Sequence, residues 1–341
     1  MIQKIVTKEE LYKLLNYLLQ DFEVIGPKEL ANRGIFYETI KNPQDLYLGE
    51  GFTTEPVKKF FLNPSEWLFK CQYNVSKNSL EEITLTKTKW IIFGVRPCEA
   101  RGLELLDKVY NSEYKDESYV NNRNRTVIIG LSCAKPGRAC FCTSMGGSNV
   151  ESRGMDAILF ATEGSPERSR GDKDGKFILE IITDKGKEIL GSIGNEPSEE
   201  EKKHWQQDRE KRKDLVRTKI KATEELDKIF ENPYWEQVSK SCLSCGICTY
   251  LCPTCHCFDL VDEQRRRLRC YDGCAFVDFT LQASGENHRP TKKERYRQRV
   301  FHKFNYFKKN FGENLCVGCG RCIRYCPVKM DIADIVDKAP V

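Results

Sequence analysis

Histidine is scarce: His204, His256, His288 and His302 are the only four in 341 residues. None stands in a metalloprotease spacing or near an obvious carboxylate partner, so each is expected to be a surface or structural side chain. No stretch approaches eighteen apolar residues, so no membrane-spanning helix is expected. The opening MIQKIVTKEE lacks the apolar core of a secretory signal, which predicts a cytoplasmic, reducing setting without disulfides. Lysine and arginine number 55 against 50 acidic residues, a net charge of +5. So even a balance gives no concentrated basic patch, and no nucleic-acid partner is expected. No G-x-G-x-x-G follows a strand. Met145-Gly146-Gly147-Ser148-Asn149 bears glycines without that pattern and reads as a turn. No triad or nicotinamide site is recognisable, so no catalytic centre is assigned.

Cysteine is abundant instead, with 17 residues. Eight fall in two runs, Cys242-x2-Cys245-x2-Cys248-x3-Cys252-Pro253 and Cys316-x2-Cys319-x2-Cys322-x3-Cys326-Pro327. Three cysteines two residues apart wrap a short loop around one cubane. The fourth, three residues on, reaches the neighbouring cluster. That rule predicts one [4Fe–4S] cluster on Cys242, Cys245, Cys248 and Cys326, and a second on Cys316, Cys319, Cys322 and Cys252. Structural zinc uses two separated C-x2-C pairs or adds histidine, and disulfide frameworks belong to small secreted chains, so both alternatives fit poorly. Each trailing proline lacks a backbone donor and suits the start of a new segment.

The length suits two or three domains with a buried core. Residues 8–21 place apolar side chains at helical spacing after Thr7, a candidate cap. Residues 88–95, 126–131, 156–162 and 177–183 read as strands, and EARGLELLDKVY after Arg96-Pro97-Cys98 reads as a helix. The predicted class is therefore α+β, with a mixed α/β domain over 1–195. Residues 196–231 turn to Glu, Lys and Arg and predict an exposed, solvated helical linker. A helical ferredoxin-like domain is expected over 232–341, because about sixty residues separate the cysteine runs. Within that insert Val300, Phe301, Phe304 and Phe307 recur at helical spacing.

Cys98, Cys133, Cys140 and Cys142 form another constellation. Cys98 and Cys133 each follow a predicted strand. If those strands are neighbours, both thiols emerge at one sheet edge, and Cys140 and Cys142 return after Pro136-Gly137. Two readings are open: a third cubane, although the spacing matches no regular run, or buried inert thiols. Cys255, Cys257, Cys270 and Cys274, with His256, lie beside a cluster loop and are read as packing around the cluster; another metal or a substrate site is the alternative. Cys71 reads as a core thiol.

With these residues in place, the chain resembles the family of dicluster 4Fe–4S electron-transfer subunits that includes the beta subunit of cytosolic sulfhydrogenases and the corresponding iron–sulfur subunit of anaerobic sulfite reductase. The resemblance rests on Gly94-Val95-Arg96-Pro97-Cys98, the stretch from Cys140 to Gly146, Cys252-Pro253-Thr254-Cys255-His256-Cys257-Phe258-Asp259, and Cys274. It rests also on the stretch from Ala283 to Pro290, Arg297-Gln298-Arg299 and the second cysteine run. It spans residues 88–330 and departs at Tyr271, where tryptophan is expected. It implies an iron–sulfur subunit of an anaerobic oxidoreductase complex. An FAD- and NAD(P)-binding subunit with a [2Fe–2S] centre would feed it, and a nickel–iron hydrogenase or sirohaem sulfite reductase subunit would receive the electrons. The other functions weighed are a catalytic site of its own near Cys255, Cys257 and Cys274, and a free-standing ferredoxin-like carrier.

Overall fold

The computed structural model describes residues 2–49, 51–73, 78–82, 87–162, 175–213, 215–221 and 225–341. A seven-stranded mixed sheet forms the N-terminal half, in the order β1-β9-β8-β7-β6-β2-β3. Its strands are β1 (Ile2–Thr7), β2 (Glu23–Leu30), β3 (Gly34–Thr39), β6 (Trp90–Val95), β7 (Thr126–Leu131), β8 (Ala157–Ala161) and β9 (Lys176–Ile181). A four-stranded antiparallel sheet carries β4 (Ser65–Tyr73), β5 (Asn78–Glu82), β10 (Phe258–Glu263) and β11 (Arg266–Tyr271) in the order β10-β11-β4-β5.

Successive side chains of a strand point to opposite faces, and the large sheet is covered on both. Ile91 and Phe93 of β6, Ile129 and Leu131 of β7, and Leu159 of β8 join one core with Leu11, Leu14, Leu15 and Leu18 of the helix Lys8–Asp21. Ile92 and Val95, Ile128, and Ile158 and Phe160 join the opposite core with Leu103 and Leu106 of the helix Pro97–Tyr110. Burial on both faces explains why these strands read as unbroken apolar runs rather than alternating ones. Each fully buried Leu or Ile stabilises this sandwich by roughly 1.5–3 kcal/mol. The first helix is capped as its sequence predicts: Glu10 N donates to Thr7 Oγ1 at 3.2 Å, and Thr7 N to Glu10 Oε2 at 2.8 Å.

Parallel pairing decides where the N-terminal thiols emerge. β6 lies beside β7 in parallel, from Trp90↔Thr126 to Val95↔Gly130. The residues that leave both strands, Arg96-Pro97-Cys98 and Ser132-Cys133, therefore come out at the same edge.

Two expectations need amendment. The charged segment is helical over Glu199–Lys213, but it is tied down rather than solvated all round. Trp205, 4 % exposed, sits on Phe160 at a ring separation of 4.3 Å. Arg209 Nη1 reaches the buried Glu180 Oε1 at 3.2 Å. Asp214 and the stretch from Ala222 to Glu224 lie outside the described residues. The C-terminal half also contributes strands: its hairpin β10–β11 pairs with β4 of the N-terminal half, Arg266↔Lys70 through Cys270↔Ser65. Its turn, Gln264-Arg265, takes φ of 50° and 63° without glycine or asparagine, so the usual hairpin signal is missing.

Arg269 clamps the hairpin down. It is 5 % exposed and bridges Glu66, at 2.7 Å from Nε, and Asp116. Arg269→Met leaves two acidic side chains facing each other with little solvent. Removing one partner of a buried ion pair typically costs about 3–5 kcal/mol, and a loss of that size in the unfolding free energy of the full chain, read from its urea midpoint, is expected.

The remaining C-terminal fold is helical. Lys292–Phe301, a π-helical turn at His302–Tyr306, and Phe307–Phe311 run on as one rod. Its Val300, Phe301 and Phe304 pack with Trp235, Ile229, Ile332 and Val336. Leu105 of the helix Pro97–Tyr110 packs with Phe307, Leu315 and Val317, which joins the halves. No helix among the described residues is long and apolar enough to cross a membrane.

Candidate metal centres

Both cysteine runs fold into the same local shape. A loop carries the first two cysteines, then a glycine in the left-handed region, Gly246 (φ 75°) or Gly320 (φ 71°), starts a one-turn helix bearing the third. Equivalent backbone donors face the first sulfur of each loop: Ser244 N lies 3.4 Å from Cys242 Sγ, and Gly318 N lies 3.4 Å from Cys316 Sγ.

Cys242, Cys245 and Cys248 of the first run line one cavity of about 40 Å³ together with Cys326, the last cysteine of the second run. That volume exceeds the roughly 10–15 Å³ one water needs. Apart from Arg299, its walls are largely apolar, among them Leu243, Ile247 and Met330. Met330 N donates to Cys326 Sγ at 3.2 Å. Cys316 and Cys322 feel the charge of Cys319 and of Cys252, the last cysteine of the first run. Burial pushes the Cys316 thiol up to about 12 and the Cys322 thiol higher still. Such groups hold their protons until a metal displaces them, so loading these sites releases protons. Among the described residues no three Cys, His, Asp or Glu side chains converge on one point as ligands of a single ion do. Thiols ringing a cavity suit a polynuclear cluster, and the donor set fits [4Fe–4S].

Cys98, Cys133, Cys140 and Cys142 line a second cavity, of about 30 Å³, and Cys319 of the second run stands in its wall. Two strand ends deliver Cys98 and Cys133. Close backbone contact delivers the other pair: Phe141 N donates to Gly318 O at 2.9 Å, and Cys140 Sγ lies 3.6 Å from Cys319 O. Gly318 permits that approach. Its φ is +64°, and a Cβ there would fall 2.6 Å from Cys142 N. The left-handed backbone alone costs an L-residue about 1–2 kcal/mol, and the clash adds to it. Gly318→Ala is expected to lower the melting temperature and to disturb both thiol sets, as read by iron content. Burial pushes the Cys142 thiol up to about 12 and the Cys98 thiol well above its ordinary value.

The remaining cysteines divide. Cys255, Cys257 and Cys274 lie beside the first run: Arg299 Nη1 donates to Cys255 Sγ at 3.4 Å, Cys255 hydrogen-bonds with Cys252, and Cys274 lies in the field of Cys257 and Cys248. Cys270 sits away from them on β11, its Sγ 3.9 Å from Asp259 O. Cys71 is half-buried on β4, outside the hydrophobic cores where it was expected. His256 and His302 pack edge to face at 5.4 Å, a structural pair, while His204 and His288 are exposed.

Buried cations are what the sequence did not announce. Lys58, Arg299 and Lys303 are 2 %, 5 % and 3 % exposed, and among the described residues none has a carboxylate partner. Lys303 Nζ donates to Thr254 Oγ1 at 3.0 Å, and Arg299 Nη2 to Cys248 O at 2.8 Å. Burial opposes charge on Lys303, yet the sulfur of Cys252, which is held toward the thiolate, outweighs it and keeps the ammonium protonated. The spacing of Arg299 and Lys303, one turn apart beside the buried Val300, Phe301 and Phe304, was the available signal.

Residues 241–330 match the family model of the 4Fe-4S dicluster domain. The C-terminal half accordingly carries two [4Fe–4S] clusters. Over 337 residues the chain is 32 % identical to sulfhydrogenase 2 subunit beta of Pyrococcus furiosus, covering 96 % of this chain and 95 % of that one. No solved structure matches. With identity extending across both halves and not only the cysteine runs, the chain belongs to the sulfhydrogenase beta-subunit family.

Proposed function

We propose that this chain is the electron relay of a cytoplasmic, anaerobic oxidoreductase complex, with its centres in a row. The ligand sets are Cys242, Cys245, Cys248 and Cys326 for one cluster, and Cys316, Cys319, Cys322 and Cys252 for the next. Cys98, Cys133, Cys140 and Cys142 hold a third [4Fe–4S] in the domain over 1–195. Bound clusters supply reversible one-electron transfer. The observation that carries the reading is the pair of shared walls. Cys319 lines the cavity of the N-terminal four, and Cys322 lines the cavity of Cys242, Cys245, Cys248 and Cys326. A cysteine of the second run thus stands between each pair of neighbouring centres. Cys245, exposed beside the exposed Leu243, brings one end of the row to the surface.

The partners on this reading are a flavin subunit that oxidises NAD(P)H, with its own [2Fe–2S] centre, and a catalytic subunit of nickel–iron hydrogenase or sirohaem sulfite reductase type. Cys255, Cys257 and Cys274 act by packing against the clusters with Arg299. The purified chain alone is expected to reduce neither protons nor sulfite from NAD(P)H, and the assembled complex is expected to do one of the two. Turnover of NAD(P)H by the isolated chain would contradict the relay.

A further inference from the structure

Where the two halves meet, a buried guanidinium has one arm without a partner among the described residues. Arg321 lies between Cys319 and Cys322 of the second run and is 0 % exposed. Its Nε donates to Thr53 O at 3.1 Å; its Nη2 donates to Thr53 Oγ1 at 3.1 Å and to Glu99 Oε1 at 3.0 Å. Nη1 is equally buried and has no hydrogen-bond acceptor among the described residues. Leaving a buried donor unsatisfied costs about 1–3 kcal/mol, and more for a charged group. The position therefore calls for an acceptor that the described residues do not supply.

Its surroundings indicate which. The ring of Phe52, 5.6 Å from the guanidinium carbon, lines the same cavity as Cys98, Cys133, Cys140, Cys142 and Cys319. Cys98, Cys140 and Cys319 all lie within the electrostatic reach of Arg321. Its counter-ion, Glu99, is the residue after Cys98. Glu99 is 1 % exposed and held by Tyr37 Oη at 2.8 Å and Val57 N at 3.1 Å. The ion pair is thus dry and weakly screened, and it links the residue after Cys98 to the one between Cys319 and Cys322.

We propose that Arg321 is a positioning residue for the cluster of the second run: Nη1 donates to one of its sulfurs, and the guanidinium charge, partly offset by Glu99, sets its reduction potential. Reduction adds negative charge, which a donor and a nearby cation stabilise. The same charge tunes how readily an electron passes to the Cys98 site. That last clause rests on the relay reading, whereas the effect on the second-run cluster needs only the dicluster domain.

The test is an EPR-monitored redox titration of the anaerobically purified full chain, with iron and labile sulfide measured alongside. Arg321→Gln is expected to keep its iron and to lower the reduced-to-oxidised ratio of one cluster about tenfold at a fixed poise, about 59 mV for a one-electron couple. Glu99→Gln is expected to move the same cluster the opposite way. A guanidinium that merely braces the two halves would lose iron or melting temperature without moving a potential, or would move it alike in both variants. Either result overturns the proposal. If Arg321→Gln fails to fold, Glu99→Gln decides alone: a raised potential supports the role of Arg321, and an unchanged one refutes it. A wild-type chain with about eight irons would remove the third centre and still leave the shift in the second-run cluster to be read.

Discussion

Alanine at both Cys98 and Cys142 is expected to take about four irons and four labile sulfides from the chain and to leave about eight of each. The expectation follows from how these thiols are delivered. Parallel β6 and β7 end at one edge, so Cys98 and Cys133 leave the sheet side by side. The bond from Phe141 N to Gly318 O then holds Cys140 and Cys142 against the same cavity. Inert buried thiols would be a different case. Their removal would cost the packing of two small side chains and change no iron count. Burial raises both thiols, so the site keeps its protons until a metal takes their place. The variant should therefore also release fewer protons on reconstitution, which a pH-stat records independently of any activity.

The second large effect concerns crossed ligation. Cys326 lines the cavity of the first run, whereas Cys252 lies in the field of Cys316 and Cys322. Cys245→Ala and Cys326→Ala should each remove the same cluster. The double variant is then expected to lose about four irons in total. If each run instead held its own cluster, the double variant would lose about eight. Cys252→Ala combined with Cys326→Ala loses about eight irons under either arrangement, so this pair serves as the control for complete loss. Iron analysis after anaerobic desalting separates the cases without reference to turnover.

Much of this was legible in the sequence wherever a local rule and the tertiary outcome coincide. The cysteine runs carry their spacing on a single loop and turn, so their pattern survives without knowledge of the fold. Thr7 and Glu10 cap a helix by contacts within three residues. Val300, Phe301 and Phe304 keep helical period because one face of their rod is dry. Cys98 and Cys133 could be paired only on condition that their strands were neighbours, since strand order is a long-range property.

What escaped notice depends on partners distant in sequence. The hairpin β10–β11 turns on Gln264-Arg265, residues that rarely take positive φ, and its stability comes from Glu66 and Asp116 in the other half. Trp205 sits alone among charges, so a stretch that looked solvated is anchored by one side chain. Lys58, Lys303 and Arg321 are buried cations that no local pattern marks. Their burial reflects the thiol sets they face, which a charge count cannot reveal.

A row of three centres is tested most directly by redox titration of the wild-type full chain, purified without oxygen and followed by EPR. Three signals are predicted, each integrating to about one spin per chain, with the middle centre broadened by both neighbours. Two signals, with about eight irons and no loss on Cys98→Ala, would contradict the three-centre relay.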